Sequence, residues 1–122
     1  MKQMVHFHEI NNKKIAEITD KNLVITNTDE ALEVMVNIYY DDCSRIIIYE
    51  ENLHADFFNL STRLAGDILQ KISNYRMKLA VVFDESNYTS KSLRDFVNEC
   101  NRGRQVFFVG DRDEAIARLS GV

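Results

Sequence analysis

Short apolar runs and longer amphipathic stretches alternate along this chain. In the opening segment Met4-Val5-His6-Phe7-His8-Glu9, Val5 and Phe7 share a face; Asn11-Asn12-Lys13 supplies turn residues, and Lys14-Ile15-Ala16-Glu17-Ile18 follows. That pattern predicts a β-hairpin. Leu23-Val24-Ile25 reads as a further small strand. From Asn27 the period lengthens. Asn27 or Thr28 can cap a helix whose first turn carries Asp29 and Glu30, matching the positive end of the helix dipole. Ala31, Leu32, Met35, Val36 and Tyr39 then recur at helical spacing, opposite Glu33 and Asn37, to about Asp42.

Ile46–Tyr49, Leu79–Phe83 and Val106–Val109 are continuous apolar runs, too short for helices and typical of interior strands. Helical patterns separate them. Leu60, Leu64, Ile68 and Ile72 step by four, joined by Ala65 and Leu69; Leu93, Phe96, Val97 and Cys100 form the next stripe, with Ser90 as its cap and Gly103 as its stop. Asp111-Arg112-Asp113-Glu114 has capping-box spacing ahead of Ala115, Ile116 and Leu119. The prediction is one α/β domain over residues 1–122: an N-terminal hairpin, then alternating helices and mainly parallel strands joined by right-handed crossovers. Continuous apolar strands also predict cover on both sheet faces. Ligands of such sheets bind beyond the carboxyl ends of the strands, which places Glu50 to Asn59, Asp84 to Thr89, and Gly110 to Asp111 at the expected site.

Composition narrows the functions. The chain has 122 residues, 4 isolated Gly, no Pro and 2 Cys that share no short motif, so phosphate-binding glycine loops, redox pairs and zinc pairs are excluded and reduced, partly buried thiols are expected. No apolar run nears the roughly 20 residues of a membrane span and no signal pattern follows Met1, so a cytoplasmic protein is the default. The net charge of −4 argues against bulk nucleic-acid binding. Its distribution is uneven: residues 1–60 hold 5 basic and 11 acidic residues, residues 61–122 hold 10 basic and 8 acidic. Such a split favours head-to-tail contact or a charged partner wherever the two signs stay apart in space.

His6 and His8 share a strand face at a spacing that metal sites use, but no third ligand is identifiable, and neither a metal nor a cofactor is implied. His54, near Glu50, Glu51 and Asp56, is better placed for proton chemistry at a strand end. Ser61, Thr62 and Arg63 stand at the predicted start of the second helix, where backbone amides favour an anion or a phosphoryl group on either hydroxyl, and where an ordinary N-cap explains the same residues. Asp84, Glu85 and Ser86 could meet them across the loops or serve as turn residues. Phe57-Phe58 must bury, by closing their loop onto the sheet or against a partner.

Glu51-Asn52-Leu53 through Asp56-Phe57-Phe58, Leu64-Ala65-Gly66, Ile68-Leu69-Gln70-Lys71, Asn74-Tyr75-Arg76 and Ser90-Lys91-Ser92-Leu93-Arg94-Asp95-Phe96 together resemble a small bacterial family, the domain of unknown function 4180, from about Met4 to Leu119. That resemblance implies no established activity. In topology the chain also resembles the STAS domain, the anti-sigma-factor antagonist fold, in which a Ser in an Asp-Ser-Ser-Gly motif before the second helix is phosphorylated by a partner kinase. Asn59-Leu60-Ser61-Thr62 aligns with that motif: Asn59 replaces the Asp, Leu60 stands where a Ser would, and no Gly follows. The resemblance therefore carries over Ser61, with Thr62 as an offset alternative.

The leading reading is a non-enzymatic, STAS-like regulatory or protein-interaction domain whose partner surface runs from Glu50 to Arg63 and includes Glu51, Asn52, Ser61 and Thr62. The alternative is a small-ligand or enzymatic site at the strand ends using His54 with Glu51 or Asp84. A third reading, nucleic-acid binding by Lys71, Arg76, Lys78, Arg102 and Arg104, requires those residues to share a face. The hairpin edge leaves pairing between two chains open.

Overall fold

A computed structural model describes residues 5–122; Met1 and Met4, used in the readings above, lie outside them. The hairpin forms as the pattern predicts. β1 (Val5–Ile10) and β2 (Lys13–Ile18) pair antiparallel, from Val5 opposite Ile18 to Ile10 opposite Lys13. Asn11 and Asn12 between them take φ values of 53° and 65°. A two-residue type I′ turn needs left-handed backbone at both positions, which Asn tolerates better than most residues.

Three helix–strand pairs follow: α1 (Thr28–Tyr40) and β3 (Arg45–Tyr49), α2 (Leu64–Asn74) and β4 (Lys78–Val82), α3 (Lys91–Asn101) and β5 (Val106–Val109), with α4 (Arg112–Ser120) last. The sheet order is β1-β2-β3-β4-β5, and β2 through β5 are parallel. Each crossover thus moves one place in the same direction. Right-handed crossovers that all step one way must lie on one face, and α1, α2 and α3 do, packing on Ala16, Ile46, Ile48, Val81 and Phe108. α4 folds back over the other face, where Ala115 and Leu119 meet Ile15, Ile47, Ala80 and Phe107. Both faces are covered, which is why the strands read as unbroken apolar runs.

Helix ends follow side-chain chemistry. Asn27 accepts the Glu30 N–H, Ser90 the Leu93 N–H, and Asp111 the Glu114 N–H, while the Glu114 carboxylate accepts the Gly110 N–H. Three expectations are corrected. α1 ends at Tyr40, and it buries Ala31, Val34, Met35 and Ile38 rather than the stripe through Leu32, Val36 and Tyr39. Apolar residues stand nearly all round this helix, so spacing alone left its face undetermined, and Tyr39 lies 54% exposed with its hydroxyl end suited to water. α2 begins at Leu64, not at Ser61, because Arg63 takes φ 69° and breaks the helical path. Leu23–Ile25 forms only one bridge, Ile25 to Leu53. Among the described residues no helix is long and apolar enough to cross a membrane. Cys43 and Cys100 are free thiols; burial pushes both up, Cys100 to about 11 with help from Glu99.

β5 is an edge strand whose side chains are all buried, the kind of edge that invites pairing with another chain. Asn101 closes it. Its amide accepts the Phe108 N–H at 2.7 Å and donates to the Phe108 C=O at 3.1 Å, as a neighbouring strand would, and Arg118 holds the Asn101 C=O at 2.6 Å. Asn101→Ala leaves both Phe108 groups without partners, and we expect a loss of about 1–3 kcal/mol in urea unfolding. Asn101→Asp, which keeps the acceptor and loses the donor, should fall between the two. A change within about 0.5 kcal/mol for the alanine variant would show that the edge needs no such closure.

Candidate functional site

Parallel strands end together, so the residues after β3, β4 and β5 gather at one rim. The cleft between them holds about 600 Å³ and is lined by Tyr49 at the end of β3 with Glu50 and Glu51, Val82 at the end of β4 with Phe83, Asp84 and Glu85, Phe108 and Val109 of β5 with Gly110, and Asn101 and Glu114 from the flanking helices. Glu50, Glu51, Asp84, Glu85 and Glu114 supply five carboxylates, and the described lining contains no Lys, Arg or His. A second cavity of about 410 Å³ adjoins it, sharing Tyr49 and Glu51 and reaching Glu17, Asp20, Lys21 and Asn52.

Glu50 fixes the rim. Its carboxylate accepts the Asp84 N–H at 3.0 Å, the Asn87 amide at 3.2 Å and the Tyr88 hydroxyl, tying the end of β3 to the loop after β4. Burial and that glutamate push the Tyr88 phenol up, so it stays a donor. The Tyr88 ring stacks on Phe58, which stacks on Phe83; Phe57 contacts Phe58 and Phe108. Phe57 and Phe58 therefore bury within the chain and hold the Glu50–Arg63 segment, a series of 3₁₀ turns at Glu50–Asn52, Ala55–Phe58 and Leu60–Thr62, against the sheet.

The residues singled out in the sequence divide between two tasks. Glu51 and Asp84 line the cleft together. Asp84 also accepts the Ser86 hydroxyl and N–H at 2.7 and 3.0 Å, which hold its carboxyl below the usual range. Asn52 is 2% exposed and spent on structure: it accepts the Tyr49 N–H and donates to the Asp20 and Leu23 carbonyls, stitching the 20–25 segment to β3. His54 is not among the described residues lining the cleft. It stands half exposed, its Nδ1 accepting the Asp56 N–H at 3.0 Å to begin a 3₁₀ turn, with the Asp56 carboxylate 3.6 Å away. The Thr62 hydroxyl is engaged by Asp56 and Asn59 carbonyls and the Leu64 N–H, whereas exposed Ser61 donates only to the Asn59 side chain at 2.7 Å. Arg63 is exposed and makes no side-chain cap; the expected anion-binding helix start at Ser61 is replaced by this turn. Of the five cations considered for nucleic acid, Lys78 donates to the Arg104 carbonyl at the opposite end of the sheet, while Arg102 is drawn to Glu99. Among the described residues no three His, Cys, Asp or Glu side chains form a metal set.

A carboxylate that sequence reasoning passed over lies deeper. Glu17 is 5% exposed on the α4 side of β2. His8 Nε2 meets it at 2.8 Å, the Tyr49 hydroxyl donates at 2.6 Å, and the Arg112 guanidinium lies 3.8 Å away. One side chain thus joins β1, β2, β3 and α4, and His8, with its ring against His6, directs its Nε2 at the Glu17 carboxylate. The available signal was position: Glu17 shares a strand face with fully buried Ile15.

Burial pushes the Glu17 carboxyl up, but the hydrogen bonds from Tyr49 and His8 and the field of Arg112 outweigh it, and the net shift is downward. A lowered folded value means that the ionised form adds stability above the ordinary Glu value and loses it as pH falls through the folded one. Glu17→Gln should cost about 1–3 kcal/mol near pH 5.5. The gap to the parent chain should shrink as pH falls toward about 3.5. Urea unfolding across that interval tests this, and a gap that does not change with pH would refute the role of the charge.

Against known proteins, no curated protein and no solved structure matches the chain. One family model does, over residues 10–119, which takes in β2 to β5, α1 to α3, all but the last residue of α4 and the strand-end cleft, and leaves out β1 but for Ile10. The chain therefore belongs to the family described as Domain of unknown function (DUF4180).

Proposed function

We propose that this domain is a regulatory or protein-interaction module that receives a cationic segment of a partner protein in its strand-end cleft. The observation that carries the reading is the lining itself, five carboxylates around about 600 Å³ with no described cation among them. The position supports it, since the rim beyond the carboxyl ends of parallel strands is where such sheets bind. Glu51 and Glu85 are exposed and accept Lys or Arg from solvent; Glu50 and Asp84 are engaged in holding the rim. The Glu50–Arg63 segment flanks the cleft, and its STAS-like position makes exposed Ser61 the regulatory hydroxyl of this reading.

The volume also favours a second reading, a small cationic ligand, because about 300–1,000 Å³ is the range of small-molecule sites. In this reading Glu51 and Asp84 contact the ligand, while His54, whose Nδ1 caps a 3₁₀ turn, stands outside the described lining.

Titration with an oligo-arginine peptide and, separately, with spermidine distinguishes the two. The protein-partner reading expects peptide binding that weakens about tenfold in Glu51→Gln/Glu85→Gln and falls further with salt. Spermidine binding of equal strength would transfer the site to a small ligand, and peptide affinity indifferent to both substitutions would remove the cleft from the function. Ser61→Asp should alter peptide affinity without changing the melting temperature; an unchanged affinity, with no phosphate on protein isolated from its host, would discard the switch.

A further inference from the structure

The end of the sheet opposite the cleft is basic. Lys13, Arg45 and Lys78 are the first residues of β2, β3 and β4, and Arg104 lies in the turn before β5. Among the described residues none of the four forms an ion pair with an Asp or Glu side chain. Their hydrogen bonds run to backbone carbonyls: Lys13 to Ser120, Arg45 to Leu119 and Val122, Lys78 to Arg104. The Leu119 and Ser120 carbonyls at the end of α4 carry partial charge only; Glu9, opposite Lys14 beside the hairpin turn, and Asp41 and Asp42, in the turn before β3, also stand at this end, which is basic on balance with Lys14 and Arg76 added to the four. Burial and the fields of Arg45, Arg104 and Lys13 push the Lys78 ammonium down. At the tips of this end, Arg76 and Arg104 are exposed, Arg76 on a turn of φ 56°.

The two ends do not neutralise each other within one molecule. Five residues of β3 separate them by about 17 Å at roughly 3.3 Å per residue. The screening length at physiological salt is about 8 Å. Each end therefore presents its charge outward, and the two signs are matched on one chain. Both ends draw on both halves of the sequence, Asp84, Glu85 and Glu114 at the cleft and Lys13 and Arg45 at the basic end, so this polarity along the strands is made by the fold and is not the uneven charge along the chain.

We propose that the acidic cleft of one copy takes the exposed Arg76 and Arg104 tips of a second copy, joining chains head to tail. This rests on the reading of the cleft as a receiver of cations and names the partner as the chain itself. Guanidinium groups suit the site because they bind carboxylates through paired hydrogen bonds. The contact is heterologous, since one patch meets a different patch, and each added copy leaves one free head and one free tail. Assembly is then open-ended, growing with concentration and dissolving with salt.

Sedimentation velocity of the full chain in about 50 mM and about 500 mM NaCl tests this. The average mass should rise with concentration at low salt and return to the 14.2 kDa monomer at high salt. Arg76→Gln/Arg104→Gln loses the tail and Glu51→Gln/Glu85→Gln loses the head, so each alone should stay monomeric. Mixed, the two retain one complementary pair of ends and should form a one-to-one complex and nothing larger. A parent chain that stays monomeric at low salt, oligomers that survive both double substitutions, or a mixture that forms no complex overturns the proposal. Oligo-arginine binding by a parent chain that never self-associates would leave the cleft reading standing while this one falls; absence of peptide binding as well would remove both.

Discussion

The handedness of chain crossovers governs this molecule. β2, β3, β4 and β5 are added one after another on the same side, and a right-handed connection repeated in one direction has a single face available to it. α1, α2 and α3 are therefore committed to one side, and the last helix is the only described helix covering the other. The same parallel order brings every strand's carboxyl end to one rim and every amino end to the other. Sites that are remote in sequence, at residues 50, 84 and 114, become neighbours for that reason alone.

Two glutamates show how burial and charge are reconciled within this frame. Glu17 sits inside the sheet layer and is tolerated because donors from three other elements meet it; an unpaired carboxylate there would be costly. Glu50 sits at the rim, accepts three hydrogen bonds from one loop, and positions the acidic edge of the cleft. In both cases a tyrosine supplies a donor, Tyr49 to the first and Tyr88 to the second. Tyr49, which contacts Glu17 and lines both cavities, is the point at which the core network reaches the cleft.

Much of the fold was legible because its signals were local. Asn11-Asn12 specify the hairpin turn, the β-branched and aromatic runs specify β3, β4 and β5, and Asn27, Ser90 and Asp111 cap the helices expected of them. What was not legible depended on choices among nearly equal local options. α1 carries apolar residues on several faces, and only packing against α2 and the sheet selects Val34 and Ile38. The start of α2 depended on Asn59 and Thr62 spending their side chains on a separate turn, which delays the helix to Leu64. In the site, Glu51 and Asp84 were readable as strand-end residues. The Glu17 network was not, since it joins residues 8, 17, 49 and 112 through tertiary contact.

Asn101 has a consequence for how this architecture can change. By occupying both backbone groups of Phe108 it does for the sheet what a sixth strand would do, and any newcomer on that side would have to replace two hydrogen bonds before adding its own. β1, at the other margin, has no outer neighbour among the described residues. Sheet growth, whether by insertion during divergence of the family or by grafting a strand in engineering, therefore has one permissive margin. The domain widens more readily beside the hairpin than beside β5, where the Phe108 groups are already paired.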